Sequence, residues 1–333
     1  MPNNNFNWPV PGNEKIINYL NQIIKNNNLG HGYLFYGPPG LGKSKIAHYF
    51  ISSIFCLSEQ NKPCGTCSHC QQIQKNIHPD IIIIKPNEDK KNITIEQIRQ
   101  MRSQVQTGSF MNSYRAVIVR SANSLSTSAS NAMLKILEQP LAKTVFVFIA
   151  DSLTNIPATV ISRLQLIKFN PIPVKIIRQD LINQGIESEQ AFELASLSAG
   201  FPGRISKFIS TPSNLDNYKQ KISDILDAIS GNINSRFLII EKIASQNKSH
   251  QSRLDADDFL DNLLSIIRDF LMIKSMSAAH ISNKWAQIRL SSIQSAFSTK
   301  KLINISEKIN TTKKHIKQNV NLRLALENLM LKF

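Results

Sequence analysis

Two short segments of this sequence carry residues whose types and spacing predict a binding site, one for phosphate groups and one for a metal ion. The first matches the phosphate-loop pattern G-x-x-x-x-G-K-[ST] and reads Gly37, Pro38, Pro39, Gly40, Leu41, Gly42, Lys43, Ser44. In such a loop the backbone N–H groups surround the phosphates of a nucleotide, the lysine reaches the outer phosphates and the hydroxyl can ligate Mg²⁺. An apolar run precedes the loop and a helical pattern follows it, which is the context that the motif requires. These eight residues are therefore the predicted nucleotide-binding residues.

Hydrolysis of that nucleotide would need acidic residues at the end of a neighbouring strand, to order Mg²⁺ and to position the attacking water. The strand predicted there, Ala116–Val119, is followed by Arg120 and Ser121 instead. Arg120 places a positive charge where a metal would need a negative one. The sequence thus predicts that ATP or ADP binds without turnover and that Mg²⁺ is poorly held. The alternative is that Asp151, after the next predicted strand, replaces the missing acid.

The second segment holds every cysteine of the chain within fifteen residues. Their spacing is C-x7-C-x2-C-x2-C, over Cys56, Cys64, Cys67 and Cys70. Four thiolates match the tetrahedral coordination of Zn²⁺ and leave no open position, so the predicted site is structural. Free buried cysteines and a redox pair are the alternatives. His69 lies inside the segment and is interpreted as a bystander, and His78 as a loop residue.

The elements that must position these segments are short apolar runs separated by helical patterns. Predicted strands cover Tyr33–Tyr36, Ile81–Ile84, Ala116–Val119, Val145–Ala150 and Leu166–Phe169. The four isoleucines of the second run predict a strand that is buried on both faces. A capping box opens a helix at Thr94 that runs to about Gln106, and Ser126 opens another that ends near Gln139, where Pro140 stops it. Strands alternating with helices predict a parallel α/β sheet.

Beyond Pro173 the pattern contains no convincing strand. A short helical region runs to about Ile209, a linker is predicted at Thr211-Pro212-Ser213, and helices follow to the end. One helical face carries Phe259, Leu263, Ile266 and Phe270. Three aspartates, Asp255, Asp257 and Asp258, are interpreted as the start of that helix, where negative charge favours the helix dipole. The prediction is three domains: an α/β domain over residues 1–170, a small helical one over 171–211, and a helical bundle over 212–333.

Composition excludes several classes of protein. The chain has 333 residues, 42% of them hydrophobic, which is enough for two or three packed cores and excludes a disordered chain. No apolar run approaches the ~20 residues of a membrane-spanning helix, and Met1 to Gly12 lacks the pattern of a secretory signal, so a cytoplasmic location is expected. The formal net charge of +16 suits a nucleic-acid partner. It equally suits an AT-rich genome, which enriches lysine, asparagine and isoleucine together.

Several motifs, in order and from about Trp8 to Phe333, resemble the bacterial clamp-loader AAA+ proteins of DNA polymerase III, and within them the delta-prime subunits. His31–Ser44 resembles the phosphate loop of the family, and Pro63–Cys70 resembles its zinc module. His78-Pro79-Asp80 and Ile93–Arg99 are similar to the next strand and helix of the family. Asn131–Pro140 is close to the family motif N-A-L-L-K-x-L-E-E-P, and Arg323–Glu327 resembles the C-terminal ending of delta-prime chains.

This resemblance implies an AAA+ core with a zinc insertion, a helical lid and an all-α C-terminal collar that joins a pentameric ring. The ring contains gamma or tau motor subunits and a delta subunit, and it loads the sliding clamp onto primed DNA. A delta-prime subunit is a rigid stator of this DNA polymerase holoenzyme and does not hydrolyse ATP. The alternative is a hydrolysing, gamma/tau-like motor subunit.

The resemblance also implies roles for two arginines. Ser162-Arg163-Leu164 is similar to the family's S-R-C signature, whose arginine reaches the ATP site of the neighbouring subunit. Leucine replaces the cysteine and is expected to fill its packing slot. Arg163 is thus the predicted catalytic residue in trans, and an internal salt bridge is the alternative. Arg204, in Gly200–Arg204, is a candidate nucleotide contact, although it is displaced by one position from the motor pattern.

A third hypothesis comes from another class, a stand-alone module that reads DNA through its zinc segment. Bases are usually bound by stacking on aromatic side chains in a basic groove. The segment from Cys56 to Cys70 contains no aromatic residue and few basic ones, which argues against this hypothesis.

Overall fold

A computed structural model shows two compact units, Met1–Ile177 with Gly200–Gly203, and Arg178–Ala199 with Arg204–Phe333. The structure describes residues 8–59, 61–87, 90–106, 114–139, 143–211, 213–244, 250–277, 280–318 and 320–333. Pro140 and Pro212, which the sequence marks as a helix stop and part of a linker, lie outside the described residues.

The first unit is built on a five-stranded parallel sheet. Its strands are β1 Gly32–Tyr36, β2 Ile81–Ile84, β3 Arg115–Val119, β4 Thr144–Ala150 and β5 Gln165–Lys168, in the order β2-β3-β4-β1-β5. All five strands match the predicted ones to within one residue at each end, and the predicted parallel α/β sheet is confirmed.

Helices connect these strands and cover the sheet. They are α1 Glu14–Lys25, α2 Lys43–Phe55, α3 Ser68–Gln74, α4 Ile95–Gln106, α5 Thr127–Glu138 and α6 Ala158–Ile161. Phe50 of α2 packs in the core on one face of the sheet, and Met133 of α5 packs in the core on the other. Both predicted helix starts are present: the Gln97 side chain accepts the Thr94 N–H, and the Ser126 hydroxyl accepts the Ala129 N–H.

The prediction that β2 is buried on both faces is wrong. Strand β2 lies at the edge of the sheet and pairs only with β3 among the described strands. Ile83 is accordingly 37% exposed, and only Ile84 is fully buried. A run of four isoleucines indicates an apolar strand. Whether that strand is central or at the edge, and therefore how far it is buried, depends on the strand order of the whole sheet.

After β5 the regular elements of the described residues are all helices. They are α7 Val174–Asn183, α8 Ser188–Ser198, α9 Ser206–Ser210, α10 Ser213–Ser230, α11 Ile233–Ala244, α12 His250–Lys274, α13 Gln287–Gln294, α14 Thr299–Lys317 and α15 Leu322–Met330. The predicted apolar face of α12 is buried in the core of the second unit: Phe259, Leu263, Ile266 and Phe270.

The prediction about the start of that helix is wrong. Helix α12 begins at His250, so Asp255, Asp257 and Asp258 lie in its second and third turns. No proline or glycine separates His250 from Asp255. Because nothing in that stretch breaks a helix, the aspartates do not mark its first turn.

Candidate nucleotide and zinc sites

The phosphate loop lies between the end of β1 and the first turn of α2, where the sequence places it. Gly37, Gly40 and Gly42 have positive φ angles of 143°, 84° and 84°. At Gly37 a Cβ would lie 2.4 Å from the carbonyl oxygen of Phe169, so a side chain would clash with the backbone after β5. The loop therefore needs glycine for two reasons, the left-handed backbone and this close approach.

Lys43 is the first residue of α2, and its amine is held inside the protein. Nζ donates to the carbonyl of Gly37, to the carbonyl of Pro38 at 2.8 Å, and to Oδ1 of Asp151 at 3.0 Å. The Lys43 side chain is 6% exposed, whereas that of Asp151 is 67% exposed. An ammonium group has three donors, so these three acceptors use all of them. Ser44, the next residue, is exposed.

Parallel strand order brings Asp151 to Lys43. Tyr36 of β1 pairs with Ala150 of β4, so Gly37 and Asp151 leave the sheet side by side. The backbone N–H of Asp151 donates to Oδ1 of Asn123 at 2.9 Å, and the Asn123 amide donates to the carbonyls of Ser152 and Thr154 at 2.7 and 2.6 Å. Sequence reasoning did not identify Asn123 as the side chain that holds this turn.

The end of β3 carries no acid. Val119 is followed by Arg120 and by Ser121, whose φ of 58° is left-handed. Asp151, after β4, is a carboxylate that lies against the phosphate-loop lysine. Its role as a replacement for the missing acid stays a prediction.

The segment Gly200–Gly203 belongs to the same unit as the phosphate loop. The N–H of Gly203 donates to the carbonyl of Gly40 at 2.8 Å, and a Cβ at Gly203 would lie 2.7 Å from the Cα of Gly40. The next residue, Arg204, belongs to the second unit. Desolvation lowers the pKa of Arg204, whose charged neighbours there are Asp261 and Arg268. Its predicted nucleotide contact stays a prediction.

Arg163 follows α6 at the surface of the first unit. Its Nη2 donates to Oε1 of Glu138 at 2.8 Å, and its Nη1 to the carbonyl of Thr159 at 2.9 Å. The alternative interpretation, an internal salt bridge, is therefore present, between side chains that are 35% and 50% exposed. Leu164 is buried in the core, as expected for a residue that replaces cysteine in packing.

The four cysteines converge on one point. Cys56 follows α2, Cys70 lies in α3, and the other two lie between these helices; all four Sγ atoms are within 4.8 Å of one another. Tetrahedral Zn²⁺ with Zn–S bonds of about 2.3 Å needs S···S separations of about 3.8 Å. The backbone N–H groups of Cys64 and Cys67 donate to the sulfurs of Cys56 and Cys64, both at 3.3 Å.

The electrostatics of the cluster suit a metal as well. The Thr66 hydroxyl, followed by backbone N–H groups, lowers the pKa of Cys64 to about 6, which favours the thiolate that binds metal. Burial raises the pKa of Cys56 and Cys70, so these two thiols need a cation to ionise. The four cysteines are free rather than disulfide-bonded, and together they could hold one Zn²⁺.

Two histidines join this cluster to the sheet. Because the Asp80 N–H donates to Nδ1 of His78 at 3.1 Å, that nitrogen accepts and the proton of neutral His78 lies on Nε2. Nε2 then donates to Nδ1 of His69, 2.7 Å away. Burial lowers the pKa of His78, which favours this neutral form. Both rings are buried, so the bystander and loop interpretations missed a structural contact that no local spacing encodes.

Beside His78 lies a buried ion pair. Nη2 of Arg115 donates to Oδ1 of Asp80 at 3.3 Å, and the two side chains are 4% and 0% exposed. The other guanidinium nitrogen, Nη1, donates to the carbonyl of Gln104. The pair thus fixes the beginning of β2 to the beginning of β3.

Replacing Asp80 by asparagine is expected to destabilise the first unit by about 3 kcal/mol, because it leaves the Arg115 charge buried without its counterion. The chain has two tryptophans, and Trp8 lies in the core of the first unit. Urea unfolding followed by Trp8 fluorescence in a Trp285→Phe background therefore reports that unit. The exposed Asp216→Asn is the matched control, and a loss below ~1 kcal/mol for Asp80→Asn would contradict the prediction.

Comparison with known proteins finds DNA polymerase III subunits along both halves of the chain. Residues 12–173 match the family model described as DNA polymerase III, delta subunit, and residues 215–333 match the model of its C-terminal part. The delta-prime subunit of DNA polymerase III from Bacillus subtilis (strain 168) is 26% identical over 324 residues, which cover 95% of this chain and 94% of that protein.

Two further proteins are similar. The delta-prime subunit from Pseudomonas aeruginosa is 30% identical over 176 residues, so the match spans about half of each, 52% of this chain and 53% of that protein. A solved structure of a DNA polymerase III gamma-subunit-related protein from Thermotoga maritima is 16% identical, covers 94% of this chain and 97% of that chain, and has a TM-score of 0.44. Among the described residues, no helix combines the length and the apolar character that a membrane span requires.

Proposed function

We propose that this chain, which belongs to the delta-prime family of DNA polymerase III clamp-loader subunits, binds a nucleotide without hydrolysing it. We also propose that it supplies Arg163 to the ATP site of a neighbouring subunit. Its partners in the ring are the gamma or tau motor subunits and the delta subunit. Through that complex it acts on the sliding clamp and primed DNA. The residues 1–170, 171–211 and 212–333 serve as AAA+ core, lid and collar.

The observation that carries this proposal is the combination of a complete phosphate loop with a basic end of β3. Lys43 and Ser44 are present in the first turn of α2, so the loop can bind phosphates. Arg120 and Ser121 follow β3, where Mg²⁺ and the attacking water would each need a carboxylate. A site that has the phosphate loop but lacks these carboxylates can bind a nucleotide and has no groups to hydrolyse it.

The rival function is an ATP-hydrolysing motor, with Asp151 as the acid, and one observation favours it: the carboxylate lies 3.0 Å from Nζ of Lys43. Turnover of ATP by the purified chain separates the two. We expect none above background, because a single exposed carboxylate cannot both order the metal and activate water. Turnover that Asp151→Asn abolishes would replace our proposal by the rival.

Bound nucleotide is expected to stabilise the fold, and Lys43→Ala to abolish that effect. A ligand present at a hundred times its Kd stabilises the folded state by about 2.7 kcal/mol. We therefore expect ADP or ATP to raise the melting temperature of the wild type by several degrees and to leave Lys43→Ala unshifted. Lys45→Ala, from the exposed side of the same turn, is the matched control. Absence of a shift in the wild type would mean that the loop is a relic.

The four cysteines are proposed to hold a structural Zn²⁺. The convergence of four sulfurs and the N–H···S hydrogen bonds support this role. With four protein ligands no coordination position remains for substrate, so the metal would stabilise the connection from α2 to α3 rather than take part in a reaction.

A further inference from the structure

The turn after β4 presents a negative charge to the phosphate loop. Asp151 is 67% exposed as a side chain, and its position is fixed by the backbone hydrogen bond to Asn123 and by strand register rather than by burial. Asn123 also binds the carbonyls of Ser152 and Thr154, which holds the turn on both sides of the carboxylate. The backbone of Asp151 is thus held in place, and its carboxylate lies 3.0 Å from Nζ of Lys43.

The lysine of a phosphate loop normally contacts the β- and γ-phosphates, while the backbone N–H groups surround the α- and β-phosphates. In this chain the Asp151 carboxylate lies 3.0 Å from that lysine amine and is one of the three acceptors that the amine contacts. A γ-phosphate would have to displace the carboxylate and remain near it. A diphosphate can use the N–H groups of the loop while Lys43 keeps Asp151 as its partner.

We propose that Asp151 makes this site selective for a nucleoside diphosphate over a nucleoside triphosphate. This inference rests on the proposed function, because it assumes that the loop binds nucleotide. Two anions near one cation repel each other, and only a triphosphate brings a third, charged phosphate towards Lys43 and Asp151. The end of β3 provides Arg120 rather than a second carboxylate, so it does not complete a metal site between Asp151 and a third phosphate.

The exposure of Asp151 limits the size of the effect. Water and salt screen interactions between exposed charges, so the full repulsion expected in a protein interior does not apply. We expect the wild type to bind ADP about tenfold more tightly than ATP in the absence of divalent metal, which corresponds to about 1.4 kcal/mol.

Titration calorimetry of the full chain with ADP and with ATP tests the inference. The variant is Asp151→Asn, which keeps the size and removes the charge, and the control is Asp216→Asn, which removes a charge from the exposed first turn of α10 in the other unit. In Asp151→Asn we expect ATP to bind within about threefold of ADP, through tighter binding of ATP. The control is expected to keep the preference of the wild type.

The outcomes separate the inference from the proposed function. If the wild type and Asp151→Asn bind neither nucleotide, the proposed nucleotide binding fails. If both bind nucleotide with the same ratio of affinities, or if the wild type prefers ATP, only the selectivity is overturned. A second titration series in Mg²⁺ has its own decisive result: if Mg²⁺ tightens ATP binding in the wild type and not in Asp151→Asn, Asp151 is a metal ligand and the inference is wrong.

Discussion

Replacing Arg163 by alanine is expected to slow ATP hydrolysis at the adjacent site of a reconstituted clamp loader by about 10³-fold, the lower end of the range for arginine fingers in trans. The physical reason is that a guanidinium placed against a transferring phosphoryl group neutralises the charge that develops on it. The substitution takes that cation away, and we expect the fold of this chain to remain intact because the Arg163 side chain lies at the surface.

The internal ion pair of Arg163 does not conflict with this role. The pair with Glu138 lies at the surface, with side chains that are 35% and 50% exposed. Exposed ion pairs contribute about 0–1 kcal/mol, so a phosphate of a neighbouring subunit can replace the carboxylate at little cost. In the isolated chain the guanidinium donates to Glu138 at the surface.

The measurement is ATP-driven clamp loading by a ring assembled with its motor subunits, with assembly confirmed by size-exclusion chromatography. Loading is the better readout, because the other ATP sites of the ring continue to hydrolyse and hide the loss in total turnover. Glu138→Gln is the matched control variant, because it breaks the same ion pair but keeps Arg163. We expect it to load within about threefold of the wild type, since an exposed pair contributes little.

Equal losses in Arg163→Ala and Glu138→Gln would show that the ion pair itself matters and that Arg163 is structural. Unchanged loading by Arg163→Ala in an intact ring would reject the trans role outright and leave this chain as a passive scaffold.

Removing zinc is the second change with a large expected effect. Structural Zn²⁺ sites in zinc-finger peptides bind with apparent free energies of about 10–16 kcal/mol at neutral pH, and that binding energy is folding energy. We expect the purified chain to contain one zinc per molecule. We also expect a strong chelator to unfold the segment from Cys56 to His78, since no disulfide joins its cysteines and only hydrogen bonds would remain among them.

Metal analysis and amide hydrogen exchange measure these two results. Cys67→Ser is expected to lose the metal and the protection of α3. His69→Gln is the matched control, because it changes a neighbouring residue that the four-sulfur cluster does not include. It should keep one zinc per chain although it breaks the hydrogen bond to His78. Zinc lost in His69→Gln would make the histidine a ligand, and wild-type protein with free thiols and no zinc would reject the site.

Local sequence determined the parts of the molecule that depend on neighbouring residues. The spacing of Gly37, Gly42 and Lys43 defines a phosphate loop because the backbone must curl closely around the phosphates of a nucleotide. Cys64, Cys67 and Cys70 can meet because two-residue spacers keep thiolates close. The strands and the starts of α4 and α5 were predictable for the same reason, since apolar periodicity and capping side chains act within a few residues.

Tertiary structure alone decided what depends on strand order. The pairs Lys43–Asp151 and Asp80–Arg115 are separated by 108 and 35 residues, and each forms because parallel strands bring distant segments to the same end of the sheet. The order β2-β3-β4-β1-β5 also left β2 at the edge, against the prediction from its isoleucines. Sequence named Asp151 as a candidate, but only the fold put its carboxylate on the lysine. The register of β1 against β4 is a long-range property, set by the packing of the whole sheet.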